Sequence, residues 1–295
     1  MKRIFLFIIA IFLCFSMTAC SKILIEQNDK NSASTSTSTY DEENIEAESV
    51  IDTDLSAYFE GFTGTAVFFK TSGTYIIYNS NESELQVSPC STFKIISTLA
   101  AFESGVISPE QSTIAWDGTE WSFESWNKDM TISEAFQTSC VWYYRKLTDE
   151  FGVEYMQNHL DSLQYGNCDI SQWDGSRFNG NALIDGFWLE SSLLISPREQ
   201  VDIMYQIFEE KTYINTIYIA ELKEMMYKED PENIVKIYAK TGSGNGGWYV
   251  GFFELDGENT YFAIRLSQQE GANGSKAQQI AENIIHEYFA GAIGL

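Results

Sequence analysis

The 295-residue sequence predicts an α+β domain: one antiparallel sheet assembled from strands at both ends of the chain, with a helical region inserted between them. Three observations carry this. Short runs rich in β-branched and aromatic residues cluster toward the two ends, about 150 residues between them show helical periodicity, and one more helical pattern closes the chain. With 44% hydrophobic and 15% aromatic residues, there is enough apolar surface for a full core.

The first 19 residues stand apart from the domain. Lys2 and Arg3 precede the apolar run Ile4 to Phe15, which at about 12 residues is shorter than the roughly 20 needed to span a bilayer. Its end, Met17-Thr18-Ala19-Cys20, resembles a bacterial lipoprotein signal, in which a small residue precedes a cysteine that is lipidated and becomes the new N-terminus. The resemblance implies a lipid anchor on Cys20, membrane attachment through it, and a protein facing outside the cytoplasm. The alternative is an ordinary cleaved secretory leader with a chance cysteine, which also exports the chain. Residues 20–50 contain NDKNSASTSTSTYDEENIEAES, too polar to order themselves by burial, and read as a flexible tether to a domain over 51–295.

Charge narrows the partners. Loss of Lys2 and Arg3 with the leader takes the formal charge from −24 to −26, a surface that repels phosphate backbones and excludes nucleic-acid binding. Of five cysteines, Cys14 lies in the leader and Cys20 is the lipid candidate. The odd remainder, Cys90, Cys140 and Cys168, reads as small apolar residues in a packed interior, with a Cys90 to Cys140 bridge left open.

GTAVFFK (64–70) and TYIIYN (74–79) flank a Thr-Ser-Gly turn as a hairpin. NIVKIYAK, GWYVGFFEL and TYFAIRLSQ form three further strands. Between the two sets, STFKIISTLAAFE, TISEAFQTS, VWYYRKLTDEF, VEYMQNHLDSL and SPREQVDIMYQIFEE are helical, the last with Ser196 as cap and Pro197 at its first position. SKAQQIAENIIHEYFA is the closing helix.

The only histidines, His159 and His286, lie within helical patterns away from any serine, cysteine or second histidine at ligand spacing. That disfavours both a Ser-His-Asp triad and a histidine zinc site. The glycines of KTGSGNGG lie between two strands, where a phosphate loop needs a helix. A hydrolase here must activate its nucleophile without imidazole. Ser91 and Lys94 stand three apart on a predicted helix, on one face, where a neutral lysine can take the hydroxyl proton. The lysine also opens an apolar run, where an ammonium is expensive to bury.

Ser-x-x-Lys is common by chance; a Lys-Thr-Gly strand at long range, Lys240-Thr241-Gly242, gives it company. The middle motif is Ser139-Cys140-Val141. With Pro89-Cys90-Ser91-Thr92-Phe93-Lys94, Trp116-Asp117-Gly118, Trp126-Asn127, Tyr165-Gly166-Asn167, Phe187-Trp188-Leu189, Ile195-Ser196-Pro197 and Gly247-Trp248 in order, the chain resembles the class D β-lactamases, or oxacillinases, over roughly residues 55–290. The fold implied is that of serine β-lactamases and DD-peptidases.

The resemblance implies that carbon dioxide carbamylates Lys94 and that no metal takes part. Carbamylated Lys94 would be general base in acylation and deacylation, Trp188 its N–H donor, and Ser91 the nucleophile. Ser139 would relay a proton toward the lactam nitrogen with support from Lys240, and the backbone N–H groups of Ser91 and Ser243 would form the oxyanion hole. Val141, Thr241 and Gly242 would line the substrate site. Most family members hold the substrate carboxylate with an arginine at the start of the last helix, a position occupied here by Lys276, which keeps the charge but lacks the bidentate fork. The stretch CDISQWDGSRFNGNALIDG is longer than is typical of the family. A penicillin sensor that acylates without turnover and a peptidoglycan transpeptidase or carboxypeptidase are the alternatives.

Overall fold

The structure, a computed structural model, describes residues 49–231 and 234–291. The expected leader, Cys14, Cys20 and most of the tether lie outside the described residues. One seven-stranded sheet organises the rest, in the order β1-β3-β2-β7-β6-β5-β4. Its strands are β1 (Ser49–Asp52), β2 (Gly64–Lys70), β3 (Thr74–Tyr78), β4 (Tyr227–Lys228), β5 (Lys236–Gly244), β6 (Gly246–Leu255) and β7 (Glu258–Leu266). All neighbours are antiparallel except β1 and β3.

That exception corrects two expectations. The sheet is mixed, and Ser49 and Val50, assigned to the tether, belong to β1. Four exposed residues at the edge carry too short a pattern to read as a strand in sequence.

The sheet is covered on both faces, as its alternation requires. Along β2, Ala66 and Phe68 join one cluster with Leu55, Phe59, Ile280 and Ile284. Those partners come from α1 (Ser56–Phe59), the residue before it, and α8 (Gly274–Ile284), which continues into a wider turn over Ile285–Ala290. Val67 and Phe69 point the other way, into the larger cluster with Leu99, Tyr144, Leu160, Met204 and Leu222.

These residues come from α3 (Lys94–Glu103), α5 (Val141–Leu163), α6 (Pro197–Phe208) and α7 (Thr216–Met226), while α2 (Ser80–Ser83) and α4 (Ile132–Gln137) complete the set. Capping boxes start α4 at Thr131 with Glu134 and α6 at Ser196 with Glu199. The two helical patterns expected over 141–163 form one run broken only at Gly152, whose φ is 77°. Helix α7, capped by Asn215, was not foreseen.

Gly251 lets β5 and β6 close. A Cβ there would lie 2.0 Å from the Tyr238 carbonyl oxygen. Gly251→Ala is therefore expected to lower stability by about 2 kcal/mol or more, read as a lower urea midpoint in equilibrium unfolding.

Candidate active site

The nucleophile segment differs from the helix start expected for it. Cys90–Phe93 form a 3₁₀ turn and the α-helix begins only at Lys94. Cys90 has φ 49° and Ser139, two residues past α4, φ 56°. Non-glycine residues in the left-handed region cost about 1–3 kcal/mol and persist where surrounding contacts over-determine them. Both stand at the chemistry: Cys90 precedes Ser91, and Ser139 is itself a predicted site residue.

Lys94 is fully buried and Nζ donates to Ser91 Oγ at 3.0 Å. Its pocket is aromatic. The Tyr144 ring centroid lies 5.4 Å from Nζ, and the adjoining Phe93 ring packs on Tyr165, Phe187 and Trp188 at 5.6, 5.3 and 5.9 Å. Phe93, Val141, Trp188 and Leu189 are all buried. Burial is the main force on the amine and lowers its pKa to about 8, against smaller opposing effects of Cys140 and Cys90. At pH 7 about one amine in ten is then neutral, against roughly one in three thousand for a free lysine. Only the neutral form can attack carbon dioxide or accept a proton.

Lys240, also buried, donates from Nζ to Ser139 Oγ and to the Thr241 carbonyl, both at 3.0 Å. Its pKa is held well below that of a free lysine, by burial first and then by Lys94 and Lys228. The site thus contains two serine–lysine pairs of the same length, one on α3 and its leading turn, the other between α4 and β5.

Strand β5 closes against the nucleophile turn. A Cβ on Gly242 would come within 3.1 Å of the Pro89 carbonyl oxygen and of Thr92 Cγ2, so a larger residue would push the strand and the turn apart by a few tenths of an ångström. The Lys-Thr-Gly motif lies inside β5 rather than at its end, and Ser243 still pairs with Gly247 of β6. Ser243 Oγ accepts from Gly274 N–H at 2.9 Å, which docks the start of α8 against the motif.

Lys276 is engaged elsewhere. Its Nζ pairs with Glu60 Oε2 at 2.6 Å, donates to Gln279 Oε1 and sits 5.5 Å from the Phe62 ring centroid. A carboxylate bound at Thr241 has to compete with Glu60 for that charge. The partner lies 216 residues away in sequence, so no local pattern announces it.

Trp188 carries the sharpest test of fit for a carbamate. Its indole Nε1 is buried with no hydrogen-bond partner, although a buried indole N–H ordinarily finds one. An unsatisfied donor in an aromatic pocket, with a lysine of lowered pKa one residue beyond the Phe93 on which the indole stacks, fits an acceptor group on Lys94. No group of acidic, histidine and cysteine side chains that could hold a metal occurs among the described residues.

Sequence reasoning missed the residues that fasten these parts together. Ser88 Oγ donates to the Trp188 carbonyl at 2.8 Å and accepts from Glu190 N–H at 2.9 Å, while its carbonyl accepts from Trp248 Nε1 at 2.9 Å. Gln200 Nε2 donates to Thr92 Oγ1 at 3.0 Å, fixing the turn from α6. The long 168–186 stretch is held to α5 by Arg145, which donates to Asp149, Asp174 and the Trp173 carbonyl. Neither histidine reaches the site: His159 is buried against Tyr213 and His286 faces Asp230.

A sheet flanked by helices on both faces, with Ser-x-x-Lys set against a Lys-Thr-Gly strand, defines a serine β-lactamase or penicillin-binding fold. The chain belongs to the penicillin binding protein transpeptidase domain family, whose model matches residues 22–286. Within it the fold is that of the class D β-lactamases. Class D beta-lactamase BAT-2 has a TM-score of 0.71 at 30% identity, over 81% of this chain and 96% of that one. Beta-lactamase OXA-1 of Escherichia coli is 33% identical over 246 residues, 80% of this chain and 87% of that protein. Regulatory protein BlaR1 of Bacillus licheniformis is 32% identical over 241 residues; the match takes in 79% of this chain but only 38% of BlaR1's length.

The cysteines Cys90, Cys140 and Cys168 are free thiols, so the Cys90 to Cys140 bridge is absent. Burial raises the pKa of Cys90 to about 12 and of Cys140 to about 11, whereas Cys168 is only partly buried. Iodoacetamide labelling of native protein at pH 8, followed by peptide mapping, should modify Cys168 and leave Cys90 and Cys140 protected until the protein is unfolded.

Proposed function

We infer that the protein hydrolyses penicillin-type β-lactams through an acyl-enzyme on Ser91. The observation that carries this reading is the buried Lys94, held 3.0 Å from Ser91 Oγ with a lowered pKa. Ser91 Oγ attacks the lactam carbonyl carbon, a C–O bond forms, and the lactam C–N bond breaks. Ser139, 3.0 Å from Lys240 Nζ, passes a proton to the departing nitrogen. The N–H groups of Ser91 and Ser243 receive the developing oxyanion, an interaction for which losing one donor typically costs about 2.7–4 kcal/mol.

Lys94 and Trp188 would hold the carbamate, which when present accepts protons from the Ser91 hydroxyl and from the hydrolytic water. Val141, Thr241 and Gly242 line the cleft, with β5 packed at Gly242 against the nucleophile turn. Export and a lipid anchor on Cys20 are part of the same proposal, since the target of a penicillin lies outside the cytoplasm.

With excess benzylpenicillin and added bicarbonate, the purified protein should turn over many equivalents. Consumption of one equivalent and then nothing would sink hydrolysis and identify a sensor. Activity should fall as the pH drops below about 8, where Lys94 becomes an ammonium, and bicarbonate should restore it. Carbon-13 bicarbonate should give a carbamate resonance that Lys94→Ala abolishes and Trp188→Phe, which keeps the ring but removes the N–H, weakens.

The ion pair at Lys276 gives a separate expectation. Glu60→Gln releases the ammonium without moving it, so KM for a carboxylated penicillin should fall by about two- to fivefold with kcat little changed, the pair being partly exposed. A KM unchanged in Glu60→Gln and in Lys276→Ala would remove Lys276 from carboxylate binding.

A further inference from the structure

Glu190 follows Trp188 by two residues, and its carboxylate collects donors from two other segments of the site. Cys90 Sγ donates to Oε1 at 3.3 Å, Asn245 N–H to Oε1 at 2.7 Å, and Asn245 Nδ2 to Oε2 at 3.1 Å. The backbone of Glu190 is fixed as well: its N–H donates to Ser88 Oγ at 2.9 Å and its carbonyl accepts from Ser176 Oγ at 2.8 Å. Asn245 is gripped from its other side by Arg265 Nη2, which donates to the Asn245 carbonyl at 2.8 Å.

The backbone is shaped around this carboxylate. Glu190 and Cys90 both adopt left-handed φ, at 47° and 49°. A Cβ on Gly244 would lie 2.1 Å from Glu190 Oε1 and 2.6 Å from Cys90 Sγ, so a side chain at this last residue of β5 would have to displace the carboxylate and the thiol. One carboxylate thereby connects the residue before Ser91, the turn directly after Ser243, and the loop that carries Trp188.

We propose that Glu190 is a positioning residue that sets the spacing of the oxyanion pocket, by locking the Ser243–Asn245 turn to Cys90 and hence to the nucleophile. It touches no reacting atom. Its effect is to hold two backbone N–H groups from different elements, the end of β5 and the 3₁₀ turn, at a fixed separation. The proposal rests on the acylation of Ser91 and on the assignment of its N–H and that of Ser243 to the oxyanion.

The test compares the full chain with its Glu190→Ala, Glu190→Gln and Gly244→Ala forms, using stopped-flow acylation by a chromogenic β-lactam and the affinity for phenylboronic acid. Boron bonded to Ser91 Oγ becomes tetrahedral and presents an oxygen to the pocket without any turnover. Glu190→Ala should slow acylation by about 100-fold, the scale of a displacement near 1 Å, and weaken phenylboronate comparably, with the noncovalent dissociation constant of the β-lactam moving about threefold or less. Glu190→Gln, which retains an acceptor for Asn245 N–H, should recover to within about tenfold of the native rate. Gly244→Ala, which drives a methyl group into the carboxylate, should reproduce the alanine defect and serves if Glu190→Ala fails to fold. Acylation and phenylboronate affinity within about threefold of native in the folded variants would overturn the proposal. A native protein that forms no acyl-enzyme would overturn the acylation reading instead, and the phenylboronate comparison would still decide the role of Glu190.

Discussion

The burial of the Lys94 amine is the constraint on which the rest of the site depends. An ammonium in an aromatic pocket is expensive, and for Lys94 the surroundings lower its pKa to about 8 instead of supplying a carboxylate partner. The Tyr144 ring of α5 lies 5.4 Å from Nζ, and the adjoining Phe93 of the nucleophile turn stacks on Trp188 of the loop before α6. The long inserted stretch, clamped by Arg145 to α5, holds that loop closed. Helical spacing puts Ser91 and Lys94 on one face, and the aromatic surroundings keep the lysine buried beside the serine.

The second requirement is close approach of two unlike elements. A sheet strand and a 3₁₀ turn have no common hydrogen-bond pattern to hold them in register. Here they are joined by removing side chains at Gly242 and Gly244 and by placing polar links around the gap, through Ser88, Glu190 and Asn245. The left-handed conformations of Cys90 and Ser139 belong to the same solution. Each aims a serine at the cleft at some cost in backbone energy that the tightly packed surroundings sustain. Cys90 acquires a reason that its sequence neighbourhood did not offer: a small side chain, buried, whose thiol reaches the Glu190 carboxylate.

What could be read in the sequence was whatever depends on local pattern or on an ordered set of motifs. The hairpin over 64–79, β5 to β7, the capped start of α6 and the pairing of Ser91 with Lys94 all follow from alternation, capping chemistry or helical spacing. What could not be read was set by partners far away in the chain. Lys276 looks like a free cation beside Gly274 until Glu60 is brought to it, and Glu190 looks like an ordinary surface acid until Asn245 and Cys90 fold onto it. Strand β1 failed for a different reason: four exposed residues have no buried face, so no alternation exists to detect. The 3₁₀ start of the nucleophile helix is invisible because 3₁₀ and α turns share the same apolar spacing over so short a run.

Class D β-lactamases and the regulatory protein BlaR1 share this frame, and under the proposed acylation of Ser91 hydrolysis and sensing are expected to part at what happens to Lys94 afterward. Buried Lys94 lowers the tendency of Lys240 to carry charge. An anion formed at Lys94 would reverse the sign of that interaction. The anion and a Lys240 ammonium would then attract one another, and the unpartnered N–H of Trp188 would add a second favourable contact. Both contributions oppose the penalty for burying the anion, and neither depends on the acyl group. In the proposed mechanism a pocket with both should keep its base after acylation, and losing either, by a shift of the Trp188 loop or of β5, would leave the acyl-enzyme stranded. The fate of the acyl-enzyme is in this view decided less by the nucleophile than by how firmly the loop and the strand are held against it.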